Sequence, residues 1–389
     1  MLPSVGYLQP DSFYLKYTWT VASTGESQII GCPFFSPLQR CQTLFGSNIV
    51  ENINNYNCLN HMLSNVLLDP SSKFGMQQMY GYNNSNAGGI QVSNLQSMNG
   101  GVLGQNTTGG WSGFLPCLLS NSQKLIPLCA MPTVTFQITL DSIANIFTNA
   151  QVAIAANIGG GILAQGAAVV PTDFVLTQCT LCYNSITLPE SLSQILLKED
   201  KIFIKSNTFI NIQNFIPLGS SGQLELIYNT RLASVKTLFL LNSSNGANKI
   251  FDSYDVTSAG DYVFSVAGTL YPQRPITYND ILPQLRKSIG GIGCRNTAFS
   301  IDALEMLYYA SGVGATTREV PSKFYPSFNV STVPFSDVLL SGISTQSSPI
   351  SVRMNIIIPT TRNITQSLLC YYDAIIEIDT KTKNATVKQ

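Results

Sequence analysis

The segment LLCYYDAIIEID, residues 368–379, alternates its side chains with the period of two that only an extended backbone can use. Leu368, Cys370, Tyr372, Ala374, Ile376 and Ile378 fall on one face, and Asp373, Glu377 and Asp379 on the other. A helix would scatter that apolar set around its circumference, whereas a strand lays it against a core. The pattern predicts a half-buried strand of an antiparallel sheet. Val352, Met354, Ile356 and Ile358 repeat it upstream, with Arg353 and Asn355 opposite. So do Val134, Phe136, Ile138 and Leu140, with Thr133, Thr135, Gln137 and Thr139 on the other side. This third run follows Pro116, Pro127 and Pro132; a residue without an N–H fits where a strand enters a sheet or runs along its edge. Further strands are expected over 12–23, 172–187, 201–216, 223–241 and 261–272, bounded by Gly, Pro, Asn and Ser clusters.

Helical signals are fewer. Over 47–68, Ile49, Ile53, Tyr56, Leu59, Leu63, Val66 and Leu67 follow helical spacing, with Ser47 as a cap, Glu51 in the first turn and Asp69-Pro70 as the stop. A short helix is expected over 189–199, with Pro189 in first position and Leu192, Ile195 and Leu196 as a stripe. A third is expected over 300–310, with Ser300 as cap and Gly312 beyond its end. A chain of 389 residues is long enough for two domains. The helix at 189–199 lies near the midpoint with strand-rich segments on either side, so two β domains are expected to join there, each packing its sheets face to face.

Groups able to do chemistry are scarce. Only 11% of residues are charged, against about 25% in an average soluble protein, and 21 basic residues balance 21 acidic ones. That leaves no basic field for nucleic acid. A sparsely charged, neutral surface favours association, and interface centres are depleted in charge. The single histidine, His61, shares a predicted helix face with Asn57, Asn60 and Ser64, which reads as a solvated or interface side chain. Cys179 and Cys182 point to opposite faces of a strand and lack the further ligands of a zinc site, so the nine cysteines read as reduced structural thiols. Asp252, Asp255 and Asp261 could hold calcium, but a turn satisfied by Asp side chains is the simpler reading. Glu225 and Glu377 each sit opposite an apolar strand face, the minimum a carboxylate-pair glycosidase would need. The Gly-rich runs lack the lysine of a phosphate loop. Residues 150–170 are uncharged and about membrane length, yet Gln151, Asn157, Gln165 and Gly159-Gly160-Gly161 favour a strand, a loop and a second strand. No secretory leader is expected in the first twenty residues, which weighs against use of the six sequons at Asn83, Asn106, Asn242, Asn329, Asn363 and Asn384.

Four stretches then resemble double jelly-roll major capsid proteins, the shell proteins of virophages, polinton-like viruses, large eukaryotic DNA viruses and related tailless bacteriophages. The first is FLPCLLSNSQKLIPLCAMPTVTFQITL, 114–140, through Leu115-Pro116, Asn121-Ser122 and Leu125-Ile126-Pro127-Leu128-Cys129-Ala130. The others are TLCYNSITLPESLSQILLKED (180–200), LELIYNTRLASVKTLFLL (224–241) and the strand at 368–379, with TLYPQRPI (269–276) closest to the polinton and virophage branch. The acidic, Arg-rich helix of the large-virus branch is here only PESLSQILLKED, and the N-terminal third matches in character alone. The resemblance implies an all-β fold of two consecutive eight-stranded antiparallel jelly rolls with a few short helices: 1–190 (with the helix near 47–68) and 191–389.

It further implies a non-enzymatic major capsid protein in the virion, assembled inside the host cell. Its partners would be a homotrimer forming pseudo-hexagonal capsomers, neighbouring capsomers, and penton and minor capsid proteins, without sequence-specific nucleic-acid binding. No catalytic, cofactor-binding or metal-binding residue and no cofactor is expected. Regions 80–112 and 311–349 are candidate contact loops between subunits. A β-sandwich attachment or surface glycoprotein is the alternative that the sequons motivate, and a jelly-roll carbohydrate enzyme using Glu225 or Glu377 is a third.

Overall fold

The computed structural model describes residues 1–25, 27–29, 31–67, 79, 102–103, 106–148, 170–244, 253–254, 256, 260–291, 321–322, 325–332, 341–360 and 362–389. The expected helix at 300–310, the 150–170 reading (except Val170), Asp252, Asp255, Asn83 and most of the two candidate contact loops lie outside them.

In the N-terminal half the elements are β1 (Tyr7–Leu8), β2 (Tyr14–Ala22), β3 (Ser27–Ile29), β4 (Leu38–Phe45), β5 (Asn48–Asn54), α1 (Tyr56–Leu67), β6 (Val102–Leu103), β7 (Thr108–Phe114), β8 (Ile126–Pro127), β9 (Val134–Leu140), α2 (Ile143–Ile146), β10 (Phe147–Thr148), β11 (Asp173–Cys182), β12 (Ser185–Ile186) and α3 (Glu190–Leu196). The C-terminal half has β13 (Lys201–Ile216), β14 (Gly222–Tyr228), β15 (Val235–Ser244), β16 (Ser253–Tyr254), β17 (Asp261–Val266), β18 (Thr269–Thr277), α4 (Ile281–Gly291), β19 (Pro321–Ser322), β20 (Ser327–Asn329), β21 (Ile350–Ile356), β22 (Ile364–Asp379) and β23 (Asn384–Lys388).

Every described strand pair is antiparallel, and none joins the two halves. The C-terminal half builds two four-stranded sheets, β13-β22-β15-β20 and β14-β21-β17-β18, with β23 added beside β22. Ile212, Leu368, Cys370, Leu238 and Leu240 of the first sheet and Val352, Met354, Tyr262 and Phe264 of the second belong to one core. Gln366 crosses that core: it accepts from the Tyr228 hydroxyl at 2.8 Å and donates to Asn242 Oδ1 at 2.8 Å and Met354 Sδ at 3.0 Å. The N-terminal half divides its strands among smaller sheets, chiefly β11-β2-β7 and β5-β4-β9. Its core is aromatic, with Tyr17 stacked on Phe34, Trp19 stacked on Phe174 and Trp111 tilted against Trp19.

Several expectations are corrected. The first part of the 47–68 helix is strand β5, paired with β4 through a turn at Gly46 and Ser47. The helix begins only at Tyr56, after Asn55 turns the chain at φ 48°. The pattern at 49–53 satisfies both periods, and the hairpin with β4 decides between them. Strand β22 is buried on both faces rather than one: Asp373 and Glu377 are shielded along with the apolar set. It is an inner strand, flanked by β13 and by β15 and β23, and α4 packs alongside β15 and β20. The stretch 223–241 splits into β14 and β15 around a turn. In β9, the strand that the three prolines precede, Val134 is buried but Leu140, at the far end, is exposed.

Gly109 lies opposite Trp19 in the β2–β7 register, where an added Cβ would sit 2.4 Å from Trp19 Cζ2. Gly109→Ala should therefore destabilise the N-terminal half by about 2 kcal/mol, read as a lower urea midpoint followed by tryptophan fluorescence.

Candidate assembly surfaces

The two halves meet at β13 of the β13–β22 ribbon, through side chains of residues 206–211 and the open edge of that strand. Glu51 of β5 is fully buried there and accepts from the Thr43 hydroxyl of β4 at 2.7 Å, from the Leu118 N–H at 2.7 Å and from the Thr208 hydroxyl of β13. The Ser206 hydroxyl donates to Leu118 O, Asn121 Nδ2 to Asn207 O at 3.0 Å, and Asn211 Nδ2 to Asn54 O at 2.9 Å. Gln389 Nε2 closes the seam on Val50 O at 3.0 Å. Burial raises the Glu51 carboxyl above its ordinary value, and the Thr208, Thr43 and Leu118 donors offset part of that rise. The sequence reading placed Glu51 in the first turn of a helix; nothing local marked it as a seam residue.

Outside the seam, the surface is apolar in patches. The outer face of β11-β2-β7 exposes Tyr14, Thr20, Thr108, Phe114, Val175, Thr177 and Thr180, with Lys16 and Asp173 as its charged side chains. Cross-strand hydroxyls stiffen it, Thr18 to Thr177 at 2.7 Å and Thr20 to Thr108 at 3.2 Å. A second patch caps the C-terminal half. The turn around 217–221 is tied by Gly219 N to Thr360 O at 2.8 Å, Thr360 N to Ser220 O at 3.0 Å and Leu218 N to Asn363 Oδ1 at 3.0 Å. That rigid tip exposes Leu218, Ile357 and Ile358, with Phe215 and Ile227 also exposed on the adjoining strands. Helix α3 forms the expected stripe but turns it outward: Leu192, Ile195 and Leu196 are 50%, 65% and 49% exposed. Pro189 precedes this helix as its cap instead of opening it. Apolar patches on rigid elements are the usual mark of surfaces that meet other surfaces.

The residues singled out for chemistry do not converge. His61 is buried in α1, not solvated; Asn65 lies 3.2 Å from its Nε2 and also donates to the Tyr325 hydroxyl at 3.2 Å across the halves. Glu225 is exposed on β14, paired in register with Arg353. Glu377 lies in the other sheet, bridged to Lys201 at 2.6 Å and to Lys388, and these lysines hold its carboxyl below the ordinary value. Asp261 starts β17 as a half-buried side chain. Cys179 lies in a bulge beside Gln178 at φ 52°, Cys182 lies in the regular pairing beyond it opposite Tyr14, and both thiols are free. Burial pushes the Cys41, Cys117 and Cys370 thiols up, Cys117 to about 12, which keeps them from acting as thiolate nucleophiles at neutral pH. Among the described residues no cluster of His, Cys, Asp and Glu could hold a metal, and no helix is long and apolar enough to cross a membrane. Of the sequon residues, Asn242 is wholly buried in β15 while Asn106, Asn363 and Asn384 are exposed.

Two antiparallel barrels in tandem, joined by a buried seam, make this chain a double jelly roll. No protein-family model and no curated protein matches the sequence. The fold has clear solved counterparts. PBCV-1 VP54, fitted into a cryo-electron-microscopy reconstruction of the virophage Sputnik, matches with a TM-score of 0.60 at 10% identity over 100% of this chain and 91% of its own. The faustovirus major capsid protein matches with a TM-score of 0.56 at 9% identity, over 97% of this chain and 80% of its own. The mavirus major capsid protein matches with a TM-score of 0.53 at 11% identity, over 99% of this chain and 85% of its own.

The raised Glu51 value fixes a sign. A carboxyl whose folded value lies above its unfolded one stabilises fully below the unfolded value, and that contribution is lost as pH rises through the folded one. Glu51→Gln keeps the acceptor for Leu118 and Thr208 and removes the charge. Against this variant, wild type should lose relative stability as pH rises from about 4 towards neutrality, read by urea midpoints across pH. Glu51→Ala, which orphans the donors, should cost about 3 kcal/mol near pH 4 and less as the wild-type carboxyl ionises towards neutrality.

Proposed function

We propose that this chain is a major capsid protein that trimerises into pseudo-hexagonal capsomers tiling an icosahedral virus shell. One observation carries the reading: the whole chain, end to end, takes the tandem jelly-roll form of solved viral capsid proteins. In this reading the first jelly roll is 1–190 and the second 191–389, which agrees with the confinement of strand pairing within residues 7–186 and 201–388. Three double barrels around an axis present six similar lobes, the shape a hexagonal lattice needs. The sparse charge and rigid apolar patches suit broad contacts between copies. Partners are the two other protomers, neighbouring capsomers, and penton and minor capsid proteins; the chain works in the virion after assembly in the host cell. The role is non-enzymatic and assigns no catalytic, cofactor or metal residue and no direct nucleic-acid contact.

Light scattering on the purified chain should give the mass of three copies, and electron micrographs at high concentration should show hexagonal arrays. A species that stays monomeric at all concentrations would overturn the proposal. The surface-glycoprotein reading predicts glycan mass on the exposed sequons; a chain from a glycosylating host with no added glycan removes it. The buried side chain of Asn242 already fits poorly with carrying one.

A further inference from the structure

A second buried polar group adjoins the seam in the middle of the sheet β13-β22-β15. Lys236, at a bulge in β15, places Nζ 2.8 Å from Asp373 Oδ1, and these side chains are 3% and 0% exposed. Asp373 faces Asn207 across the β13–β22 register. With the Asn207 amide in the orientation its neighbours require, Nδ2 donates to the same Asp373 Oδ1 at 2.8 Å and to Ser206 O at 2.9 Å. The amide oxygen then accepts from the Tyr371 hydroxyl at 3.1 Å. The Ser234 hydroxyl holds Asp373 Oδ2 at 2.7 Å, and Asn121 anchors the Asn207 main chain at 3.0 Å. An amine and a carboxamide thus share one carboxylate oxygen, and the carboxamide's carbonyl is held by a hydroxyl.

We propose that Lys236 and Asn207 form an intramolecular isopeptide bond, with Asp373 as the proton relay and the Tyr371 hydroxyl bracing the amide oxygen. The ammonium of Lys236 passes one proton to Asp373, and the freed amine attacks Asn207 Cγ. Asp373 returns that proton to the departing nitrogen and takes a second from the new N–C bond. The Nζ–Cγ bond forms, the Cγ–Nδ2 bond breaks, and ammonia leaves. No oxidant or cofactor enters, and the amide, neutral Asp373 and ammonia balance the starting ammonium, carboxylate and carboxamide.

The surroundings favour this direction. A buried ion pair carries the desolvation cost of both charges, and the reaction converts both to neutral groups. The hydroxyl on the carbonyl oxygen stabilises charge that develops there during attack. Neighbouring strands hold the three groups in fixed register, which removes most of the entropic cost of bringing them together. Asn207 is the half-buried member, so ammonia can leave on its side. The product would tie β13 to β15 across β22, closing the chain between 207 and 236 into a covalent loop. That reading stands apart from the capsid proposal and survives its failure.

Intact mass spectrometry of the folded full-length chain, run under denaturing conditions, tests it. The expected mass is one ammonia below that of the polypeptide, and a tryptic map should show Asn207 and Lys236 in one linked product, with no cleavage after Lys236. Lys236→Arg should restore the full mass, and Tyr371→Phe should slow appearance of the link by about tenfold or more. Wild-type chain of full mass, cleaved normally after Lys236, overturns the proposal without need of any variant. Ammonia loss without the linked peptide overturns it too. A chain one water lighter, linked from Lys236 to Asp373, shows Asp373 to be the electrophile and overturns the roles assigned here.

Discussion

Pairing between two 16-residue strands, β13 and β22, is the constraint on which the rest of the molecule depends. The facing sheet's central strand, β21, is 7 residues long, so the ribbon outruns the barrel it belongs to. Its 364–370 end closes that barrel, where Gln366 reaches Met354 and Tyr228. Its other end, on the same face, lies against the N-terminal half at Thr208 and Ser206. One alternating apolar set therefore serves two purposes along a single strand pair. A slip of one residue would expose it in both places at once.

The seam is specified by polar groups more than by apolar ones. Glu51 gathers donors from β4, from the turn after β7 and from β13. Any other docking of the halves would leave a buried carboxyl and its donors unmatched, which costs more than the matched contacts gain. The same holds for Asn65, which reaches Tyr325, and Asn211, which reaches Asn54. The halves are thus committed to one relative placement.

Much of the fold was legible because an alternating pattern needs only neighbours in sequence. β13 appears with the expected bounds, 201–216, and β21 and β22 within a few residues of theirs. The misreadings share a cause: they depended on partners distant in the chain. At 49–53 two periods fitted, and pairing with β4 chose between them. His61 sat among Asn57, Asn60 and Ser64, which looked like a wet face; in the fold Asn57 donates to Ser36 O and Asp141, and Asn60 to Tyr56 O. Helix α4 passed unnoticed although Ile281, Leu285 and Ile289 recur at helical spacing and are buried. Of the assembly surface, the charge poverty was visible from composition, but which apolar side chains point outward was not. The stripe on α3 was visible at helical spacing, but only the fold shows that it faces solvent.

The edges of the sheets carry several guards against uncontrolled pairing. Open strand edges are templates for uncontrolled pairing. β11 breaks its edge with the bulge at Gln178, and β18 carries Pro272 and Pro275. The outer edge of β13 is taken by the N-terminal half, through Gln123 N to Lys205 O at 3.3 Å and the amides of Asn121 and Asn211. Strand addition is thereby blunted at each of these places. The flat threonine-rich face of β11-β2-β7 and the tied tip at Leu218, Ile357 and Ile358 remain open.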